Sequence, residues 1–331
     1  MGIKNLSNFL SKYPNILNNK NIKDLYGKKI AIDISLLLYQ SIINIRRSGV
    51  DLINDKGHIT SHILGLFNKT ILFLENGIIP VYVFDGKPSI LKQSILTNRK
   101  LTKTKALKNF KQAKTEQDKI KYFKRTVSIS KEQFQECREL LTLMGIPYID
   151  APEEADSYLS YLCKNNLVYA VLTDDMDILT FGSPRIIKNI FNSQKPLVDI
   201  ELSNILSSLN LNYEEFIDLC VLFGCDYCSN SNFNQNEIYS IYLKTKSLPD
   251  TLNELKKLNY SINDIKSYTD AKTYFINKSK EVPLEKLNLQ YTKPDINLLL
   301  ELLVGKYGLI KFIILNKINI LLKTYELFKN I

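Results

Sequence analysis

An α/β fold, with a mostly parallel central β-sheet flanked by helices, is what this 331-residue sequence predicts. Three observations carry that expectation. Short β-rich runs recur along the chain, and stretches with helical spacing lie between them. The runs also end in acid: "KKIAID" at Asp33, "PVYVFD" at Asp85 and "VYAVLTDD" at Asp174 and Asp175. In open sheets of this kind, ligands collect outside the carboxyl ends of the strands.

Taken in order, "KKIAID" is the first strand of this pattern. In "SHILGLFNKTILFLENG" (61–77), Ile63, Leu66, Phe67, Ile71 and Leu74 share one broad helical face. Gly77 supplies the C-cap before the strand "IIPVYVF". Residues 90–131 break the alternation. They are polar and lysine-rich without a sustained β pattern, and read as a helical insertion or arch at about 88–132. "GIPYIDAPEEADSYLSYL" resumes it with a short strand, a proline-bearing turn and a helix. Glu154 and Asp156 stand at the start of that helix, where the dipole favours negative charge. "VYAVL" is a buried strand, and from about residue 200 the chain turns helical, starting with "NYEEFIDLCVLFGCDYC". "LPDTLNELKKLNY" and the 294–328 tract follow. The expected division is a core at 1–229 that includes the arch, and a helical region at 230–331.

Composition narrows the function classes. The chain is 45% hydrophobic and 24% charged, as expected of a soluble globular protein. The most apolar tract (296–322) is interrupted by Glu301, Lys306, Lys311 and Lys317, which argues against a membrane span. "MGIKNLSNFL" lacks the apolar run of a signal peptide, and Leu6 stands where a myristoylation motif wants Ser or Thr. Five cysteines, an odd number, suggest free thiols in a reducing, intracellular setting. Cys225 and Cys228 form one C-x-x-C, but with only two histidines, His58 and His62, packing thiols are expected over a zinc site.

Net charge is +10, and its placement is uneven. Between Lys92 and Lys131 stand 13 lysines and arginines against two acids, a balance of +11, so the remainder carries −1. A nearly neutral body with one basic segment fits an electrostatic grip on a polyanion, although a solvated helical face is the alternative.

The acids carry the chemistry. Asp33 and Asp85 at strand ends, the pair Glu154/Asp156, the pair Asp175/Asp177 and Asp226 stand in four contexts, and acids converging on one site would destabilise the fold unless cations neutralised them. Oxygen ligands without a His/Cys cluster select Mg²⁺ or Mn²⁺. Two such ions can activate a water and stabilise the leaving oxygen of a phosphodiester, with no side-chain nucleophile. A helix cap or a turn is the alternative for each acid taken singly.

The sequence resembles the flap endonuclease family of structure-specific 5′ nucleases from Met1 to about Ser229, and more weakly through the C-terminal helices. The blocks are "MGIKNL", "AIDISLLLYQ", "TSHILGLF", "NGIIPVYVFDGKPSILK", "LLTLMGIPYIDAPEEAD", "DMDILTFGSP" and "DLCVLFGCDYC". The resemblance implies a PIN-like 5′-nuclease fold and DNA flap cleavage, with 5′-3′ exonuclease and gap activity, in replication and repair. It implies two Mg²⁺ ions, replaceable by Mn²⁺, held by Asp33, Asp85, Glu154, Asp156, Asp175, Asp177 and Asp226, with Asp174 acidic but not a principal ligand. Lys92 and Arg99 resemble the pair that steers the scissile phosphate, and Tyr39 the aromatic on which the flanking base stacks. Gly2 resembles a residue beside the active centre, and Arg46, Lys124 and Arg125 are expected DNA contacts. In "KIKYFKR", Tyr122 and Phe123 are expected to pack against the arch.

Two departures stand out. After "GCDYC", where the family pattern has a glycine-rich helix-two-turn-helix that binds duplex and a monovalent ion, Phe233 and Gln235 replace glycines and Glu237 stands near a lysine position. Lys244 and Lys246 are candidates to compensate. The sliding-clamp motif expected at the C-terminus is missing, so clamp recruitment by that route is not expected. The remaining implied partner is branched DNA with a 5′ single-stranded flap, bound by a monomer with no membrane association, in a nuclear setting by family resemblance, with a cytoplasmic or viral one as the alternative. The competing readings are a junction-binding accessory factor with weakened catalysis, and a related 5′ nuclease with another junction preference.

Overall fold

The computed structural model describes residues 2–45, 52–190, 195–228, 234–260, 262, 264–280 and 287–329. The chain forms two compact units that interleave in sequence. The first comprises Met1–Asn21, Gly86–Ser94 and Pro152–Glu285; the second comprises Ile22–Asp85, Ile95–Ala151 and Lys286–Ile331.

In the first unit, β1 (Asn18–Lys20), β5 (Ala170–Leu172), β6 (Arg185–Lys188) and β7 (Leu197–Glu201) pair in the order β1-β7-β6-β5. β5 and β6 are parallel, whereas β7 runs antiparallel to both β6 and β1. The helices of this unit are α1 (Leu6–Leu10), α7 (Ala155–Lys164), α8 (Leu202–Leu209), α9 (Tyr213–Phe223), α10 (Gln235–Thr245), α11 (Leu248–Lys257) and α12 (Ile265–Lys280). A capping box starts α9: Asn212 Oδ1 accepts the Glu215 N–H at 2.9 Å, and Glu215 Oε2 accepts the Asn212 N–H at 2.8 Å.

In the second unit, β2 (Lys29–Asp33), β3 (Ile79–Phe84) and β4 (Tyr148–Asp150) pair in parallel in that order. All six residues of β3 are buried, as are Ile30, Ala31 and Ile32 of β2, the continuous burial expected of parallel strands covered on both faces. Its helices are α2 (Ile34–Ile45), α3 (Ser61–Glu75), α5 (Glu116–Lys124), α6 (Lys131–Leu143), α13 (Ile296–Leu300) and α14 (Lys311–Phe328), with most of α4 (Gln93–Gln112). The predicted face of α3 is the buried one, with Ile63, Leu66, Phe67, Ile71 and Leu74 at most 3% exposed. Gly77 follows it in the left-handed region (φ +70°) and donates its N–H to Leu74 O at 2.9 Å.

The predicted strands at Asp33, Asp85, 148–150 and 170–172 form, and the sheet pairings are mostly parallel. The basic zone folds as α4 and α5, which are held by a small apolar contact in which Phe123 and Val127 pack on Ile42 of α2, with Phe110 and Ile129 beside them. Phe123 thus packs as expected; Tyr122 is only half-buried. The short strands β1, β6 and β7 carry no alternating pattern, and pairing with neighbours, rather than local sequence, makes them strands. The 294–328 tract is helical but broken by a π-turn at Glu301–Lys306. Among the described residues, no helix is long and apolar enough to cross a membrane.

Candidate catalytic carboxylate clusters

The first unit gathers acids around one half-buried ammonium. Gly86 N–H bonds Glu153 O at 2.6 Å and Lys87 N–H bonds Pro152 O at 3.1 Å, so the loop after β3 runs alongside the approach to α7. A short 3₁₀ turn (Ile90–Lys92), capped by Ser89, then places Lys92 beside the start of α7. Its Nζ lies 2.8 Å from Glu154 Oε2 and 3.8 Å from Asp156 Oδ2. Glu154 is the N-cap of α7 but makes no side-chain cap bond. Its carboxylate instead takes the Ser89 N–H at 3.1 Å and the Tyr227 hydroxyl at 2.6 Å. Burial alone would lower the Lys92 pKa, but Asp156, Glu154 and Asp177 outweigh it and hold the ammonium charged.

The segment after β5 supplies the next two acids. Asp177 opens a 3₁₀ turn, is 2% exposed, and has its pKa pushed well up by burial first, then by Asp175 and Asp156. Asp175 Oδ1 and Asp177 Oδ1 are both buried without a hydrogen-bond partner. Gly2, at φ +81°, lies so close that a Cβ there would stand 1.7 Å from Asp175 Oδ1. Asp174 instead is exposed and accepts the Asn189 N–H at 3.1 Å, which sets it apart from its neighbours. Asp226 is half-buried in the turn after α9, next to Tyr227, whose ring lies 4.8 Å below Lys92 Nζ.

The second unit holds a smaller cluster. Asp33, at the end of β2, caps α2: its Oδ1 accepts the N–H groups of Ser35 at 2.7 Å and Leu36 at 3.3 Å. The Ser35 hydroxyl donates to Asp85 Oδ2 at 2.8 Å, linking the acids that end β2 and β3. Tyr39, one turn further along α2, is 39% exposed. Burial and then Asp85 raise its pKa, while Arg99 of α4 opposes them, so these three side chains share one electrostatic neighbourhood. Lys124 and Arg125 are exposed at the end of α5. Arg46 and Phe233 lie outside the described residues. Gln235 opens α10, Glu237 accepts from the Tyr260 hydroxyl, and Lys246 pairs with Glu215 at 3.2 Å.

Among the described residues, no three His, Cys, Asp or Glu side chains surround one point closely enough to cage an ion as they stand. The donor set nevertheless fits a hard cation: it is all carboxylate, and two buried oxygens of the first cluster lack hydrogen bonds. Tyr227 and Ser35 were not among the residues expected from sequence. A hydroxyl beside an acid carries no distinctive pattern, and their roles follow from contacts between segments 73 and 50 residues apart.

Residues 1–106 match the XPG N-terminal domain family and residues 145–226 the XPG I-region family. Flap endonuclease 1-A of Oryza sativa subsp. japonica is 38% identical over 317 residues, 93% of this chain and 83% of that protein. Human flap endonuclease 1 is 38% identical over 314 residues, 92% of this chain and 82% of that protein. The structure of flap endonuclease-1 from Methanococcus jannaschii superposes with a TM-score of 0.74 at 31% identity, over 96% of this chain and 98% of that one. The catalytic core of Rad2 in complex with DNA substrate shares the fold, with a TM-score of 0.67 at 21% identity, over 97% of this chain and 100% of that one.

Proposed function

The chain belongs to the flap endonuclease family, and on that basis we propose how its residues cut DNA. It is a structure-specific 5′ flap nuclease, a metal-dependent enzyme that hydrolyses phosphodiester bonds. The observation that carries the site assignment is the buried, hydrogen-bond-free oxygen pair of Asp175 and Asp177 beside Lys92, Glu154 and Asp156.

Glu154, Asp156, Asp175, Asp177 and Asp226 of the first unit are the proposed ligands of divalent ions, Mg²⁺ with Mn²⁺ as a substitute. The same role falls to Asp33 and Asp85 of the second unit on the family's pattern. When bound, such ions activate a water and stabilise the leaving oxygen of the phosphodiester. Lys92, held charged by its acids, and Arg99 neutralise the charge that develops on the phosphate. Tyr39 offers a partly exposed ring for a flanking base. The lysines of α4 and α5, Lys124 among them, grip the single-stranded 5′ arm through its phosphates together with Arg125. Lys246 is paired with Glu215, so Lys244, exposed, is the better placed of the two to contact duplex phosphate.

A 5′-labelled flap substrate in Mg²⁺ tests the assignment, with Asp175→Asn and Asp177→Asn as paired variants. Cleavage at the flap junction by the parent, lost in both variants, is expected. Undiminished cleavage by both would remove these acids from the site.

A further inference from the structure

The turn Cys225-Asp226-Tyr227-Cys228 holds two thiols whose sulfurs lie 3.5 Å apart. We propose that Cys225 and Cys228 form a reversible oxidation site, closing to a disulfide that lowers nuclease activity. The second half of that statement rests on the nuclease reading above; the pairing of the thiols does not.

The two sulfurs differ in access. Cys225 is 1% exposed, whereas Cys228 is only half-buried. The remaining thiols, Cys137, Cys163 and Cys220, are buried. A small disulfide oxidant such as oxidised glutathione therefore reacts at Cys228 first. The Cys228 thiolate attacks one glutathione sulfur, forming a mixed disulfide and releasing one glutathione thiolate. Cys225 then attacks Cys228 Sγ, closing the internal bond and releasing the second. The protein gives up two electrons and two protons, and the oxidant becomes two glutathione molecules.

Closure has consequences because of what lies inside the ring. A disulfide is about 2.05 Å long, so the sulfurs must approach by about 1.5 Å, and the adjustment falls on Asp226 and Tyr227 between them. Tyr227 donates to Glu154 Oε2 at 2.6 Å, places its ring under Lys92, and packs on Tyr274 at 4.6 Å and Phe275 at 5.1 Å. The turn also receives the N-terminal segment, since Lys4 N–H bonds Gly224 O at 2.9 Å. Moving this turn disturbs the groups that orient the acids, an effect commonly worth roughly 10–100-fold in metal affinity or activity.

The test incubates the full chain with oxidised glutathione, maps disulfides by mass spectrometry without reduction, and measures flap cleavage before and after dithiothreitol. A Cys225–Cys228 disulfide is expected, with the rate falling roughly tenfold or more and recovering on reduction. Cys228→Ser and Cys228→Ala, checked for folding by circular dichroism, should cleave equally with and without oxidant. A lasting glutathione adduct with no internal disulfide, or a disulfide with unchanged cleavage, overturns the proposal. Failure of the reduced parent to cleave the flap would sink the nuclease reading instead, while the mass spectra still report whether the thiols pair.

Discussion

Asp177 is almost wholly buried, and burial together with Asp175 and Asp156 opposes its charge. A group held this way costs stability whenever it is ionised without a cation, which is the mark of a residue kept for chemistry rather than for folding. Asp177→Asn keeps the shape and removes the charge. In metal-free buffer its thermal unfolding midpoint is expected to rise, reflecting about 1 kcal/mol or more, while flap cleavage falls by roughly 10²-fold or more. Gly2 illustrates the opposite constraint, one of space. Gly2→Ala forces a Cβ to within 1.7 Å of Asp175 Oδ1 at a φ that L-residues avoid. Flap cleavage by that variant should drop roughly tenfold with the far-UV circular dichroism spectrum unchanged. For single residues the sequence was informative about identity. Sequence motifs single out the acids, Lys92 and Gly2 as candidates, but not the hydroxyls of Tyr227 and Ser35 that hydrogen-bond Glu154 and Asp85, because nothing local marks them.

Among the elements, α3 was readable because its apolar spacing matches the face it buries, and Gly77 ends it where the backbone turns left-handed. The basic zone was readable as helical for a different reason: its lysines leave little apolar surface to bury. Phe123, Val127 and their neighbours pack on α2, and α4 presents Lys100, Lys105 and Lys108 to solvent. Replacing those three by alanine should weaken binding of a single-stranded 5′ arm and flatten its salt dependence. The slope of log affinity against log salt is expected to shrink by about 0.7 for each phosphate left unneutralised. Fluorescence anisotropy with a labelled flap at several salt concentrations measures it. An unchanged slope would make these lysines an ordinary solvated helix face.

For the protein as a whole, one segment carries +11 of charge against −1 elsewhere, and the carboxylate clusters sit in units assembled from interleaved stretches of chain. A divalent ion that binds the folded acids must stabilise the fold by linkage, by about 2.7 kcal/mol at a hundredfold excess over its dissociation constant. For a chain of this size that corresponds to a midpoint rise of roughly 4 °C. Differential scanning fluorimetry in Mg²⁺ against chelator should show the rise in the parent and little of it in a variant carrying both Asp175→Asn and Asp177→Asn. An equal rise in both would place the ion elsewhere.

Fold class, the helical nature of the basic zone and the family are legible in the linear chain, and the acids stand out there as candidates, since hydrophobic period, charge run and ordered motif blocks are properties of neighbouring residues. Folding was needed to reveal which oxygens are left without hydrogen bonds, that Tyr227 joins Glu154 to Lys92, and that the Cys225 and Cys228 sulfurs lie 3.5 Å apart. Those facts depend on distance and burial set by the folded chain, and a linear pattern records neither.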